Sequence, residues 1–144
     1  MKIINVEAIP FRIPMRKEVG VLKSAVVTMN SAEHVLVSVT TDCGVVGYAE
    51  AHERPTIYGE TQASITNMVN RYIGPAITGM DVCDTEKILD KIDKYGSNYT
   101  AKGALDTAVH DALTKILGIP MYKFFGGWGE SKAKVVAPIS LYPP

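Results

Sequence analysis

Residues 33–50, EHVLVSVTTDCGVVGYAE, alternate apolar and polar side chains, turn, and alternate again. On an extended chain Val35, Val37 and Val39 fall on one side, with His34, Leu36 and Ser38 on the other. Thr41-Asp42-Cys43-Gly44 supplies a hairpin turn in which Gly44 suits a positive φ, and Val45 to Glu50 returns antiparallel. Upstream, Ile4, Val6, Ala8 and Phe11 to Ile13 predict a further strand ended by Pro14. Pro10 gives that strand an edge position or a bulge, because proline cannot donate to a central ladder. Met15 to Ser24 has neither period and reads as a mobile loop, and Ala25 to Met29 extends the strand of residues 33–40 as one long or two collinear strands. The expectation is a three-stranded antiparallel meander.

Downstream the period becomes helical. Ile65, Met68, Val69 and Tyr72 share one face of a helix that Gly74-Pro75 is expected to end, since the residue before proline avoids the α region. A second helix spans about Thr85 to Tyr95, with Asp84 as N-cap and Ile88, Leu89 and Ile92 inward. A third runs from about Thr100 to Leu117, and Ala101, Ala104, Leu105, Ala108, Ala112 and Ile116 line one face of it. So many alanines on one stripe imply close approach to another element. Gly118 is placed as the C-cap, with Pro120 beyond it. After Gly126-Gly127, residues 134–140 read as one more strand. Strands followed by segregated helices make the fold class α+β, not alternating βαβ.

The 144 residues amount to about one domain and are too few for a (β/α)₈ barrel, which takes ~250. Fifteen Lys+Arg against 15 Asp+Glu give zero formal charge, which argues against nucleic acid as a partner. With 47% hydrophobic and 21% charged residues the chain folds rather than staying disordered, and no stretch offers the ~20 apolar residues of a membrane span. The N-terminus lacks the pattern of a secretion signal, so a cytoplasmic setting is expected, with Cys43 and Cys83 both free thiols.

Candidate chemistry is sparse. Glu50, His52, Glu53 and Glu60 cluster around the strand-to-helix loop, either as an acid/base or metal site or as a solvated charged loop. No spacing there matches a ligand motif, which favours the loop. His110 follows Asp106 by four residues and adjoins Asp111, a pairing that serves structure more often than catalysis. His34 has nothing beyond its type to mark it as a ligand. No Gly-x-Ser-x-Gly elbow and no phosphate loop occur, and Gly126-Gly127-x-Gly129 follows no strand, so it reads as a sharp turn. From the residues alone there is no catalytic group and no metal ligand to assign.

Longer motifs add what spacing does not. The run Ala101-Lys102-Gly103-Ala104-Leu105-Asp106-Thr107-Ala108-Val109-His110-Asp111-Ala112, continued through Lys115, Gly118-Ile119-Pro120 and Phe125-Gly126-Gly127, resembles a signature of the mandelate racemase/muconate lactonizing group of the enolase superfamily. Met1 to Ile4, Val35 to Val39, Asp42 to Ala51 and Tyr58-Gly59-Glu60-Thr61 resemble the same N-terminal domain in order. Thr114 stands where Gly or Ala is usual, and Phe124 where Leu is usual.

The resemblance implies an N-terminal capping domain over residues 1–130 and, over 131–144, only the first strand of a C-terminal TIM barrel. Family barrels carry the Lys or His bases and the carboxylates that hold Mg²⁺, where a base removes a proton α to a carboxylate and the cation stabilises the enediolate. None of those residues maps onto this chain. The expectation is therefore a truncated, inactive piece of a racemase, epimerase or cycloisomerase, with Mg²⁺ in the intact enzyme and no cofactor here. An acid-sugar dehydratase of the same superfamily and a free-standing, non-catalytic interaction domain are the alternatives.

In the family two capping-domain loops help select substrate. Here they correspond to Arg16–Ser24 and His52–Tyr58, so Val19, Val21 and Leu22 are expected to supply an apolar wall, and Arg54 and Tyr58 polar handles. The implied partners are a small carboxylate substrate and the barrel domain. Self-association into a homo-oligomer is also expected, from the alanine stripe and the lone last strand.

Overall fold

In a computed structural model, residues 1–18, 20–23 and 27–127 are described. Five strands come first: β1 (Ile3–Pro14), β2 (Leu22–Lys23), β3 (Thr28–Met29), β4 (Ser31–Thr41) and β5 (Val46–His52). Helices follow: α1 (Gln62–Met68), a π-helical turn (Val69–Ile73), α2 (Gly74–Ile77), α3 (Thr85–Asp93), α4 (Tyr99–Leu117) and α5 (Met121–Phe124). The α+β order and the antiparallel meander are as expected, with β1, β4 and β5 adjacent in that order. The expected strand over residues 134–140 lies outside the described residues.

Central β4 buries Val35, Val37, Val39 and Thr41 completely, one side of the alternation. The turn is as expected: the Thr41 amide donates to the Val45 carbonyl at 3.0 Å, and Gly44 has φ +83°. β1 is an edge strand, so Pro10 costs no ladder bond. Its outer backbone is sealed by Asn70, whose Oδ1 accepts from the Ala8 amide at 2.8 Å while its Nδ2 donates to the Ala8 carbonyl at 3.0 Å. The other edge is sealed from α4: Asp111 accepts from the Tyr48 amide, and Lys115 donates to the Val46 carbonyl. These side chains occupy backbone groups that would otherwise template strand addition.

Some expectations need correction. The first strand's alternation slips at a bulge between Ile3 and Asn5, so Ile3 is buried and Ile4 is 55% exposed. The loop after β1 contains a short ladder, Leu22 with Met29 and Lys23 with Thr28, and β3 belongs to that ladder instead of extending β4. The first helix does not stop at Gly74-Pro75. The Gly74 amide bonds to the Val69 carbonyl, an i→i+5 turn, and helix resumes with Pro75 in its first turn, where no amide donor is required. The widened turn carries Ile65, Val69, Ile73 and Ile77 into the core at four-residue intervals and leaves Tyr72, expected inward, 49% exposed.

α3 buries Ile88 and Ile92 as expected, but the Asp84 carboxylate does not cap it and pairs with Lys87 at 2.7 Å instead. α4 buries Ala101, Ala104, Leu105, Ala108 and Ala112 and ends at Gly118 with φ +68°, both as expected. The alanines let α4 lie directly on β5 at Gly47, and this stripe is interior, so it is no surface for self-association. Thr114 is buried without penalty, because its hydroxyl donates to the His110 carbonyl at 2.8 Å.

Candidate functional site

At one end of the sheet two excursions leave the ladder side by side. The first joins β1 to β4; its base is closed by the Met15 amide donating to the Asn30 carbonyl at 3.2 Å. The second leaves β5, where the Glu53 amide still donates to the Glu33 carbonyl at 3.1 Å. It then folds into a turn in which the Ile57 and Tyr58 amides both donate to the Arg54 carbonyl, at 3.0 and 2.7 Å. Gly59 takes φ +74°, a conformation that favours glycine.

The far end of this turn is bolted down. Thr61 and Ser64 form a reciprocal capping box at the start of α1. A Glu53 carboxylate oxygen accepts from the Gln62 amide, and Gln62 Nε2 donates to the carbonyls of Phe11 and His34, each at 2.7 Å. Glu60, 5% exposed, turns inward to the start of α4 and accepts from the Thr100 amide at 2.7 Å and the Ala101 amide at 3.1 Å. A carboxylate at a helix N-terminus meets both unpaired donors and the positive end of the helix dipole. Glu60 is thus a structural cap, which removes it from the candidate acid/base cluster.

Between the excursions lies a depression of about 180 Å³, with Met29, Glu33, His52, Glu53 and Arg54 in its lining. The Arg54 guanidinium contacts Met29 Sδ, which ties the second excursion to β3. Glu33 is held from two sides, by Arg12 Nε and by the Ser31 hydroxyl, each at 2.7 Å. His52 packs against His34 with ring centroids 4.2 Å apart and planes tilted by 39°, and Phe11 lies 5.7 Å from His34 on its other side. Burial, reinforced by His34 and Arg54, holds His52 below the ordinary imidazole range.

Of the five residues expected to bind substrate, Arg54 lines this depression. Tyr58 is on the same turn, 60% exposed and outside the lining; Val21 is 50% exposed. Val19 and the side chain of Leu22 lie outside the described residues. The contribution of Met29 and the pairing of His34 with His52 were not anticipated. The second was within reach, because counting back from the Thr41–Val45 turn places those two histidines opposite each other. His110 is structural: its Nδ1 lies 2.8 Å from Asp106 Oδ1, and its ring packs 5.2 Å from that of Phe125, joining α4 to α5.

The family profile described as mandelate racemase / muconate lactonizing enzyme, N-terminal domain, matches residues 8–126. The chain belongs to this family. It is 36% identical over 133 residues to the L-Ala-D/L-Glu epimerase of Clostridium acetobutylicum, covering 92% of this chain and 36% of that protein. Its fold superposes on the muconate lactonizing enzyme from Mucobacterium Smegmatis complexed with muconolactone, with TM-score 0.82 at 41% identity over 88% of this chain and 34% of the other. The dipeptide epimerase from Enterococcus faecalis V583 complexed with Mg and the dipeptide L-Leu-L-Tyr gives TM-score 0.80 at 31% identity, covering 88% and 35%. This family member therefore spans about a third of the length of the relatives it matches.

Among the described residues no three His, Cys, Asp or Glu side chains stand where they could jointly hold a metal ion, and no step is assigned to Mg²⁺ on them. No helix among them is long and apolar enough to cross a membrane.

Proposed function

We propose that this chain is the substrate-selecting cap of a Mg²⁺-dependent racemase, epimerase or cycloisomerase that abstracts a proton α to a carboxylate. The supporting observation is the joint likeness, across nearly the whole described fold, to an epimerase and to a muconate lactonizing enzyme. Inverting a stereocentre α to a carboxylate, and forming or opening a lactone whose ring C–O bond lies β to a carboxylate, can share one intermediate, a carbanion α to the carboxylate held as an enediolate. When bound, Mg²⁺ supplies Lewis-acid stabilisation of that charge.

In this reading residues 1–130 form the cap and residues 131–144 begin the barrel domain, which supplies the bases and metal ligands; the 144 residues alone are inactive. The cap contributes the two excursions beside the depression. Val19, Val21 and Leu22 give an apolar wall, Arg54 presents a planar fork able to bind a carboxylate bidentately, and Tyr58 offers a hydroxyl. A small carboxylate substrate, the barrel domain and further copies of the chain are its partners, in a cytoplasmic setting.

The test uses the enzyme formed when this chain is continued through its barrel, assayed against a panel of dipeptides and muconate-type acids. Arg54→Ala is expected to lower kcat/KM by about tenfold or more for the preferred acid, the scale of one lost charged contact, and Tyr58→Phe by less. Unchanged kcat/KM for both variants across the panel would remove the two excursions from substrate selection.

A further inference from the structure

His34 and His52 face each other across the β4–β5 ladder, on the side of the sheet opposite Val35 and Val37. Their partners differ. His34 Nδ1 contacts the Glu50 carboxylate, which gives a proton on that ring a counter-charge. Nδ1 of both rings is buried with no hydrogen-bond partner among the described residues, and of the two only His34 Nδ1 has a carboxylate in contact. The two rings, 4.2 Å apart and tilted by 39°, therefore set an imidazole without a carboxylate in contact against one that has Glu50 beside it. One residue after His52, the Glu53 amide makes the last ladder bond before the exposed turn, to the Glu33 carbonyl.

We propose that the His34–His52 ring pair is a proton-operated clasp that fastens the start of the turn of residues 53–59 to the end of the sheet. With His52 neutral the rings stay packed together and the Glu53–Glu33 bond is kept. With His52 protonated, its charge sits beside His34 and Arg54 in a half-buried position, and the relief is to move His52 out, which breaks that bond and loosens the start of the turn, whose far end stays held through Gln62.

The surrounding charges set the direction. On β1, Arg12 is occupied by Glu33 of β4. On β5, Glu50 contacts His34 and Glu53 is occupied by the Gln62 amide. The Glu33 backbone and Glu50 favour a charged His52, but by less than burial, His34 and Arg54 oppose it. Arg54 lines the same depression as His52 and stays cationic. Because the folded state holds His52 below its ordinary range, the folded clasp binds fewer protons than the open one. Its contribution is complete above the unfolded imidazole pKa of about 6.5 and is lost as pH falls through the folded value. The clasp rests on the chain's own geometry, independent of the reaction assigned to the enzyme.

The experiment is amide hydrogen exchange on the 144-residue chain between pH 7.5 and 5.5, corrected for intrinsic exchange, together with NMR titration of the imidazoles. Protection of the Glu53 amide is expected to be lost progressively on acidification, in step with the protonation of His52, while core amides of α4 stay constant. In His52→Gln the Glu53 protection is flat with pH. In His34→Gln the His52 midpoint rises, because His34 is one of the groups that hold it down. A pH-independent Glu53 amide in the unsubstituted chain, an undiminished fall in His52→Gln, or a His52 midpoint indifferent to His34 would each overturn the clasp.

Discussion

Gly47 of β5 lies so close to Ala108 of α4 that a Cβ placed on it would come within 2.0 Å of the Ala108 carbonyl oxygen. The same atom would meet the Ala112 amide nitrogen at 2.5 Å. Both neighbours are backbone, so no side chain can swing aside. The contact joins the sheet to the longest helix and explains why that helix carries alanine where leucine would otherwise fill a core.

Gly47→Ala is therefore expected to destabilise the chain by about 3 kcal/mol, the upper part of the overpacking range, because sheet and helix must separate. Gly103→Ala, on the exposed side of α4 with open space around it, is expected to stabilise by about 0.5–1 kcal/mol through helix propensity. Urea unfolding of the two variants measures both signs in one experiment. Equal effects would mean that the helix does not rest on Gly47.

Glu60→Ala leaves the Thr100 and Ala101 amides without their carboxylate and is expected to cost about 2 kcal/mol. Glu60→Gln, which keeps one acceptor and loses the charge, is expected to cost roughly half of that. The local readout is exchange at the first turn of α4, which rises in the alanine variant well before α3 is affected. Unaltered exchange at Thr100 would contradict the cap.

Both cysteines are exposed free thiols with opposite electrostatics. The Thr41 hydroxyl, 3.2 Å from Cys43 Sγ, together with the Val45 backbone, lowers the Cys43 pKa, whereas burial and then the Asp81 carboxylate raise that of Cys83. At pH 8 more of Cys43 is thiolate, and the thiolate is the nucleophile. Alkylation by iodoacetamide, followed by peptide mass spectrometry, is expected to label Cys43 several-fold faster. Equal rates would contradict the assignment.

Much of the fold could be read in advance because period and punctuation agree. The Val35-Val37-Val39 alternation, Gly44 in the turn and Gly118 after the alanine stripe each point to a single local structure, and each forms it. The misses lie where tertiary packing overrides a local rule. Pro75 normally ends a helix, but burying Ile73 and Ile77 favours a π-helical turn that accommodates it. Asp84 has the side chain of a cap, yet Lys87 takes its carboxylate, while α4 draws its cap from Glu60, about 40 residues upstream. The candidate site was only partly legible for a related reason. Arg54 could be singled out by its chemistry, but its neighbour Met29 reaches it only through the β2–β3 ladder, whose two pairs carry no periodic signal.

The central proposal is that proton abstraction belongs to the barrel domain that this chain caps, not to these 144 residues. Its most direct test is deuterium exchange at the α-carbon, followed by NMR in D₂O with Mg²⁺ and a panel of dipeptides and lactone-forming acids, for the 144 residues alone and for the chain continued through its barrel. Exchange is expected with the continued enzyme and none above the uncatalysed rate with the 144 residues. Exchange catalysed by the 144 residues on their own would contradict the account.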